Sequence, residues 1–340
     1  MRRILLALML LVACIPGAQA KDLIKVTLVQ SSQSMNFVPI YIAQTEGYFK
    51  EEGLDLTVVL AGGGPKAMTA LIGGGGQFSA SVLLDGIMAH RRGLTDVKAL
   101  ATLSYFLAPM AVRADVAKQH GITLETPLKQ RVEAMKGLKM GITTPGASSD
   151  LVLRYLLVSQ GLDPSRFLQI VPVGGVSTMM AALQTGSIDG CSCVPPVDVM
   201  TNLQGLTVSV IDQGKDMPEL TGVTYGTLYG LASYNKAHPE VAAAMARAIT
   251  RATLLIARNP EAAKQATRPF FKQTDEAIWN ASWRTYFPNF PKDPAISQHG
   301  YEQELAFEKT TLPAKDSTAV PYQDVVDTQF LRAARQELLR

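Results

Sequence analysis

Two stretches of this chain follow one pattern in one register. Residues 59–82 read VLAGGGPKAMTALIGGGGQFSASV, and residues 171–194 read VPVGGVSTMMAALQTGSIDGCSCV. Aligned without a gap at an offset of 112, they share Val59/Val171, Gly62/Gly174, Gly63/Gly175, Met68/Met180, Ala70/Ala182, Leu71/Leu183, Gly74/Gly186 and Val82/Val194. Each copy has a β-rich run (56–60; 168–173) that ends at a Gly-Gly turn. A helical stretch follows (66–72; 178–185), a glycine stops it, and a second strand begins (77–82; 189–194). That order is βαβ, which implies parallel strands. Upstream of each copy lie another strand and helix, at 24–30 with 39–48 and at 138–143 with 151–160. The reading is an α/β chain of two matching lobes, each a mostly parallel sheet flanked by helices. A length of 340 residues, beyond one ordinary core, agrees.

Composition narrows the partners. Apolar residues make up 47% and charged residues 18%, a folded balance. Formal charge is +3 with no basic run or stripe, so nucleic acid is not an expected partner. Residues 1–20 read MRRILLALMLLVACIPGAQA: a basic start, a short apolar core and a small-x-small site at Ala18-Gln19-Ala20. This is the pattern of a secretory signal peptide, and it is too short for a comfortable membrane span. Periplasmic release is the expectation; Leu11-Val12-Ala13-Cys14 also resembles a lipoprotein box, which would anchor the chain at Cys14. The other cysteines, Cys191 and Cys193, alternate along an expected strand. Opposite-facing side chains suit a disulfide badly, so two small buried residues are expected.

In such sheets the ligand crevice lies beyond the carboxyl ends of the strands. In the first lobe those loops carry Ser31, Ser32, Gln33 and Asn36, then Gly63 and Gly64, then Leu84 and Asp85. In the second they carry Thr143, Thr144, Gly146, Ala147, Ser148 and Ser149, then Pro196 and Asp198. Ser148 or Ser149 can cap a helix beginning near Leu151. Capping needs one such residue, and the surplus of hydroxyls points to ligand contact.

Four segments resemble the nitrate/sulfonate/taurine-type solute-binding proteins of bacterial ABC transporters: FVPIYIAQTEGYFKEEGLDLTVV, MKGLKMGITTPGASSDLVLRYLLVSQGLDP, AALQTGSIDGCSCVPP and RATLLIARNPEAAKQA. They run in order from residue 24 to 265. The resemblance implies a two-lobed type II periplasmic-binding-protein fold, joined by two crossover strands near 103–113 and 224–233. It divides the chain into a signal peptide at 1–20, a discontinuous first lobe at 21–109 plus 224–340, and a second lobe at 110–223. The chain from 235 onward would pack back on the first lobe, with helix starts at Pro239 and Pro260. The implied function is capture of a small organic or inorganic solute and delivery to a cognate ABC permease, by a monomer without a cofactor.

Tyr105 and Tyr225, beside the crossings, could stack on a flat ring. Asp85 and Asp198, if unpaired in the cleft, would suit an amine or amino-heterocycle better than a bare anion. An alternative class is a metal-dependent enzyme of the thiamine-pyrimidine synthesis type, since Cys191 and Cys193 fall in a comparable place. Against it, His90, His120, His238 and His299 are the only histidines and none lies in these loops. A ligand-sensing ectodomain is a third reading.

Overall fold

The computed structural model describes residues 22–312 and 317–338. The expected signal peptide and Cys14 lie outside the described residues. The strands are β1 (Ile24–Gln30), β2 (Leu54–Leu60), β3 (Phe78–Val82), β4 (Val97–Thr102), β5 (Met110–Arg113), β6 (Lys139–Ile142), β7 (Gln169–Pro172), β8 (Gly190–Ser192), β9 (Thr207–Ser209) and β10 (Gly226–Leu231). They form two five-stranded sheets, ordered β2-β1-β3-β10-β4 and β7-β6-β8-β5-β9. Three strands of each are parallel, β2-β1-β3 and β7-β6-β8. The fourth is antiparallel in both: β10 pairs with β3 and β4, and β5 with β8 and β9. The expected two-lobed α/β architecture is present.

The sequence repeat is a structural repeat in the same register. Moved by 112, the ends of β1 and β2 at Gln30 and Leu60 become the ends of β6 and β7 at Ile142 and Pro172. The helix starting at Gly64 becomes the helix starting at Val176, and the start of β3 at Phe78 becomes the start of β8 at Gly190. The shared glycines explain themselves. Gly62 and Gly174 have φ of 74° and 88°, and Gly74 and Gly186 have 77° and 71°. This left-handed region disfavours any residue with a Cβ.

The chain crosses between the sheets twice, from β4 to β5 and before β10. The crossings touch through a bridge between Tyr105 and Thr224. The amphipathic helix Pro239–Arg258 packs on the first sheet through Val241, Met245, Ile249, Ala252 and Ile256. Helices begin at Pro239 and Pro260, as expected. The C-terminal segment does not keep to the first lobe. Helix Gln298–Thr311 packs on the second-lobe helix Ser148–Ser159, and Phe307 meets Phe106 and Tyr155 at 5.3 and 5.1 Å between ring centres. From another face of that helix Glu308 pairs with Arg91 of the first lobe. A helix with apolar and acidic faces each satisfied by a different lobe becomes a strap across both.

Replacing Gly74 by alanine puts the methyl group into open space. The expected loss of about 1–2 kcal/mol is backbone strain alone, read as a lower midpoint in chemical denaturation.

Candidate functional site

The carboxyl ends of the two parallel triplets face one cleft of about 610 Å³. Its first-lobe wall comes from the loops after β1, β2 and β3, and its second-lobe wall from the loops after β6, β7 and β8. The loops are held by equivalent bonds. Ala61 N–H donates to the Gln30 carbonyl at 2.9 Å, and Val173 N–H to the Ile142 carbonyl at 2.8 Å. One residue out of that register, Gly63 N–H reaches back to the Ser31 carbonyl at 2.8 Å and Gly174 N–H to the Thr143 carbonyl at 3.1 Å.

Each loop has its own fastening. In the first lobe the Tyr41 hydroxyl accepts from Gln30 Nε2 at 2.8 Å and from Ser34 N–H at 3.1 Å. Burial raises the Tyr41 phenol pKa far above its ordinary value, so it stays a neutral anchor. Ser34 caps the short turn Met35–Phe37 that carries Asn36 into the wall. In the second lobe the expected serine cap is absent. The helix begins at Ser148, its N-cap is Ala147, and no side chain caps it. Ser149 Oγ instead accepts from Thr143 N–H at 3.0 Å and lies 2.9 Å from Thr143 Oγ1. Asp150 accepts from Gly146 N–H at 2.8 Å and from Arg154 Nε at 2.7 Å. Ser148 remains for the cleft, which it lines together with Tyr225.

Of the sequence-derived candidates, Ser31, Ser32, Gln33, Asn36, Gly63, Gly64, Leu84 and Asp85 line the cleft from the first lobe. Thr143, Thr144, Gly146, Ala147, Ser148 and Ser149 line it from the second, and Tyr225 lines it beside the crossing. Tyr105, Pro196 and Asp198 are not among the lining residues. Tyr105 is held at the crossing, its N–H donating to the Asn289 carbonyl at 2.8 Å. Pro195 lines the cleft in place of Pro196. Asp198 is 6% exposed and accepts the hydroxyl of Tyr286, a residue of helix Glu276–Tyr286 after the second crossing. Phe37, Leu107, Val152 and Cys193 also line the cleft. Their sequence signal is that of core residues.

Cys191 and Cys193 form a disulfide, contrary to the strand-alternation argument. β8 ends at Ser192, so Cys193 has already left the strand. Its N–H donates to the Pro109 carbonyl at 2.7 Å, and the Cα atoms come within 5.0 Å. Among the described residues no group of three His, Cys, Asp or Glu could hold a metal ion.

Both aspartates that the sequence put in the cleft loops are raised. Burial pushes Asp85 up to about 6, against the opposing pull of the Val82 N–H. Burial pushes Asp198 up to about 6 as well, against the Tyr286 hydrogen bond. An Asp that prefers its proton in the folded state stabilises fully below its unfolded pKa, and that contribution is lost as pH rises through about 6. Asp198→Asn should therefore gain on the parent between pH 4 and pH 7, by roughly 3 kcal/mol at the upper end. Paired melting curves across that range check it. The two serines should also separate. Ser149→Ala loses the acceptor for Thr143 N–H and should cost about 1 kcal/mol of stability. Ser148→Ala should leave the melting temperature nearly unchanged and weaken solute affinity, as calorimetry would show.

Comparison with known proteins places this architecture. YtlA of Bacillus subtilis (strain 168) is 23% identical over 331 residues, covering 94% of this chain and 92% of YtlA. A solved structure from Bordetella bronchiseptica RB50 shares 25% identity and superposes with a TM-score of 0.78, covering 93% of this chain and 98% of that one. The periplasmic nitrate-binding protein NrtA from Synechocystis PCC 6803 superposes with a TM-score of 0.68 at 17% identity, covering 94% and 90%. The family model described as NMT1-like matches residues 29–268, most of the chain that builds both walls of the cleft, and this protein belongs to the NMT1-like family.

Proposed function

We propose that this protein is an extracytoplasmic solute-binding protein that closes two lobes on a small polar solute and presents it to an ABC permease. The observation that carries the reading is one cleft walled equally by equivalent loops of two lobes. A solute resting on one wall gains contacts when the other arrives, so the closed form has the higher affinity. The volume, about 610 Å³, falls within the range of small-molecule sites.

The lining favours holding over reacting. Its ionisable members are Asp85 and Tyr225, with no histidine to serve a hydroxyl nucleophile. The cysteines that motivate the enzyme reading are joined to each other, so they offer no thiolate pair. A disulfide fits an oxidising compartment, in keeping with the signal-like N-terminus. Binding-protein relatives support the same reading.

Thermal-shift screening of the mature chain tests it. A ligand selective for the folded form at a hundred times its Kd adds about 2.7 kcal/mol, and the melting temperature should rise accordingly. Uptake of that solute should then require both this protein and a permease, and turnover of the solute by the purified protein would refute the reading.

A further inference from the structure

We propose that the cleft selects a bipolar solute, with an N–H-bearing head donating to Asp85 on the first-lobe wall and an acceptor group at the other end taken by the second-lobe wall. The inference rests on the solute-capture reading and adds the chemical class of the solute. It comes from a break in the internal repeat. At the shared offset of 112, Asp85 corresponds to Val197, which is fully buried. Two halves alike in backbone therefore differ in charge where they face each other.

On the first-lobe wall the Asp85 carboxyl lies directly beneath Gly64, the first residue of helix Gly64–Ile72. A Cβ on Gly64 would fall 2.1 Å from Asp85 Oδ2, so only glycine admits the acid there. The start of that helix therefore already has an acid beside it. Asp85 Oδ2 also accepts from Val82 N–H at 3.3 Å, yet the residue stays partly open to the cleft. No cation shares the wall. Arg91, six residues along the same helix, is taken by Glu308 and the Thr318 carbonyl, and Arg92, the C-cap of that helix, pulls on Asp85 only weakly from an exposed position outside the lining. Glu304, the buried residue behind, is itself an acid. Lys66 is exposed and outside the lining.

The second-lobe wall is the reverse. Helices Ser148–Ser159 and Val176–Thr185 both start at the cleft and neither has a side-chain cap; the one acid in their first turns, Asp150, is buried outside the lining and already held by Gly146 N–H and Arg154. Their free N–H groups, with the hydroxyls of Thr144 and Ser177, offer donors to an acceptor group. Helix starts are worth only about 0.3–1 kcal/mol each toward an anion near a surface. A bare oxyanion would gain that much, find no Lys, Arg or His in the lining, and leave Asp85 unanswered.

Calorimetry on the mature chain with a panel of matched pairs tests this, each pair an acid and its ω-amino derivative, such as butyrate with 4-aminobutyrate and benzoate with 4-(aminomethyl)benzoate, with nitrate alongside. The amino member should bind about tenfold tighter or more in at least one pair, the worth of one hydrogen bond to a charged group. Asp85→Asn and Asp85→Ser both keep an oxygen for Val82 N–H. Either should erase that preference while the melting temperature shows a folded protein. Nitrate or the plain acids binding as tightly as the amino members, unaffected by both substitutions, would overturn the bipolar assignment and leave solute capture standing. Failure of the whole panel would count against both.

Discussion

Each sheet is completed by a strand that comes from outside its own parallel triplet. β10 enters the first sheet only after the chain has built the second, and β5 enters the second directly from the first. This exchange makes the rest of the molecule possible. Two crossings leave one sheet at the side where the other begins, so the carboxyl ends of both triplets must look at each other. The loops there need no further instruction to meet. Tyr105 and Thr224 join the crossings, and Phe106 packs on Tyr225 at 5.1 Å between ring centres.

Around that frame, like backbones carry unlike chemistry. The glycine turns, the strand ends and the return bonds from Ala61 and Val173 agree between halves. The side chains beyond β3 and β8 do not. One half follows its strand with Asp85, and the other closes the Cys191–Cys193 ring and buries Val197. Backbone equivalence makes a cleft, and side-chain divergence gives it direction. The strap Gln298–Thr311 adds a second asymmetry. It joins Arg91 on one side to Tyr155 on the other and holds two buried acids, Glu304 and Glu308, whose pKa values burial raises.

The fold was legible because its signals are local and repeated. Gly62, Gly74, Gly174 and Gly186 occupy backbone positions that only glycine takes without strain, so their spacing reported turns directly. The polar loops after β1 and β6 were legible for the same reason, since a strand followed by small polar residues and a helix has few other uses. What escaped depends on contacts far along the chain. Asp198 looked like a cleft residue until Tyr286, 88 positions later, took its carboxylate. Ser149 looked like a helix cap, and which hydroxyl turns back to Thr143 is set by backbone angles. The disulfide was misread because alternation holds only while a strand continues, and β8 is three residues long.

The borrowed strand also sets a timetable. β4 has one ladder partner, β10, besides a single bridge from Ala99 to the still later Val326, and β10 begins 124 residues after the end of β4. A chain emerging from its N-terminus can assemble the β5–β9 sheet while residues 97–102 still wait without a ladder and one side of β3 stays open. An open apolar strand edge invites other chains, and a pairing so distant in sequence closes slowly. Passage across a membrane before folding would keep that waiting edge away from the crowded compartment of synthesis.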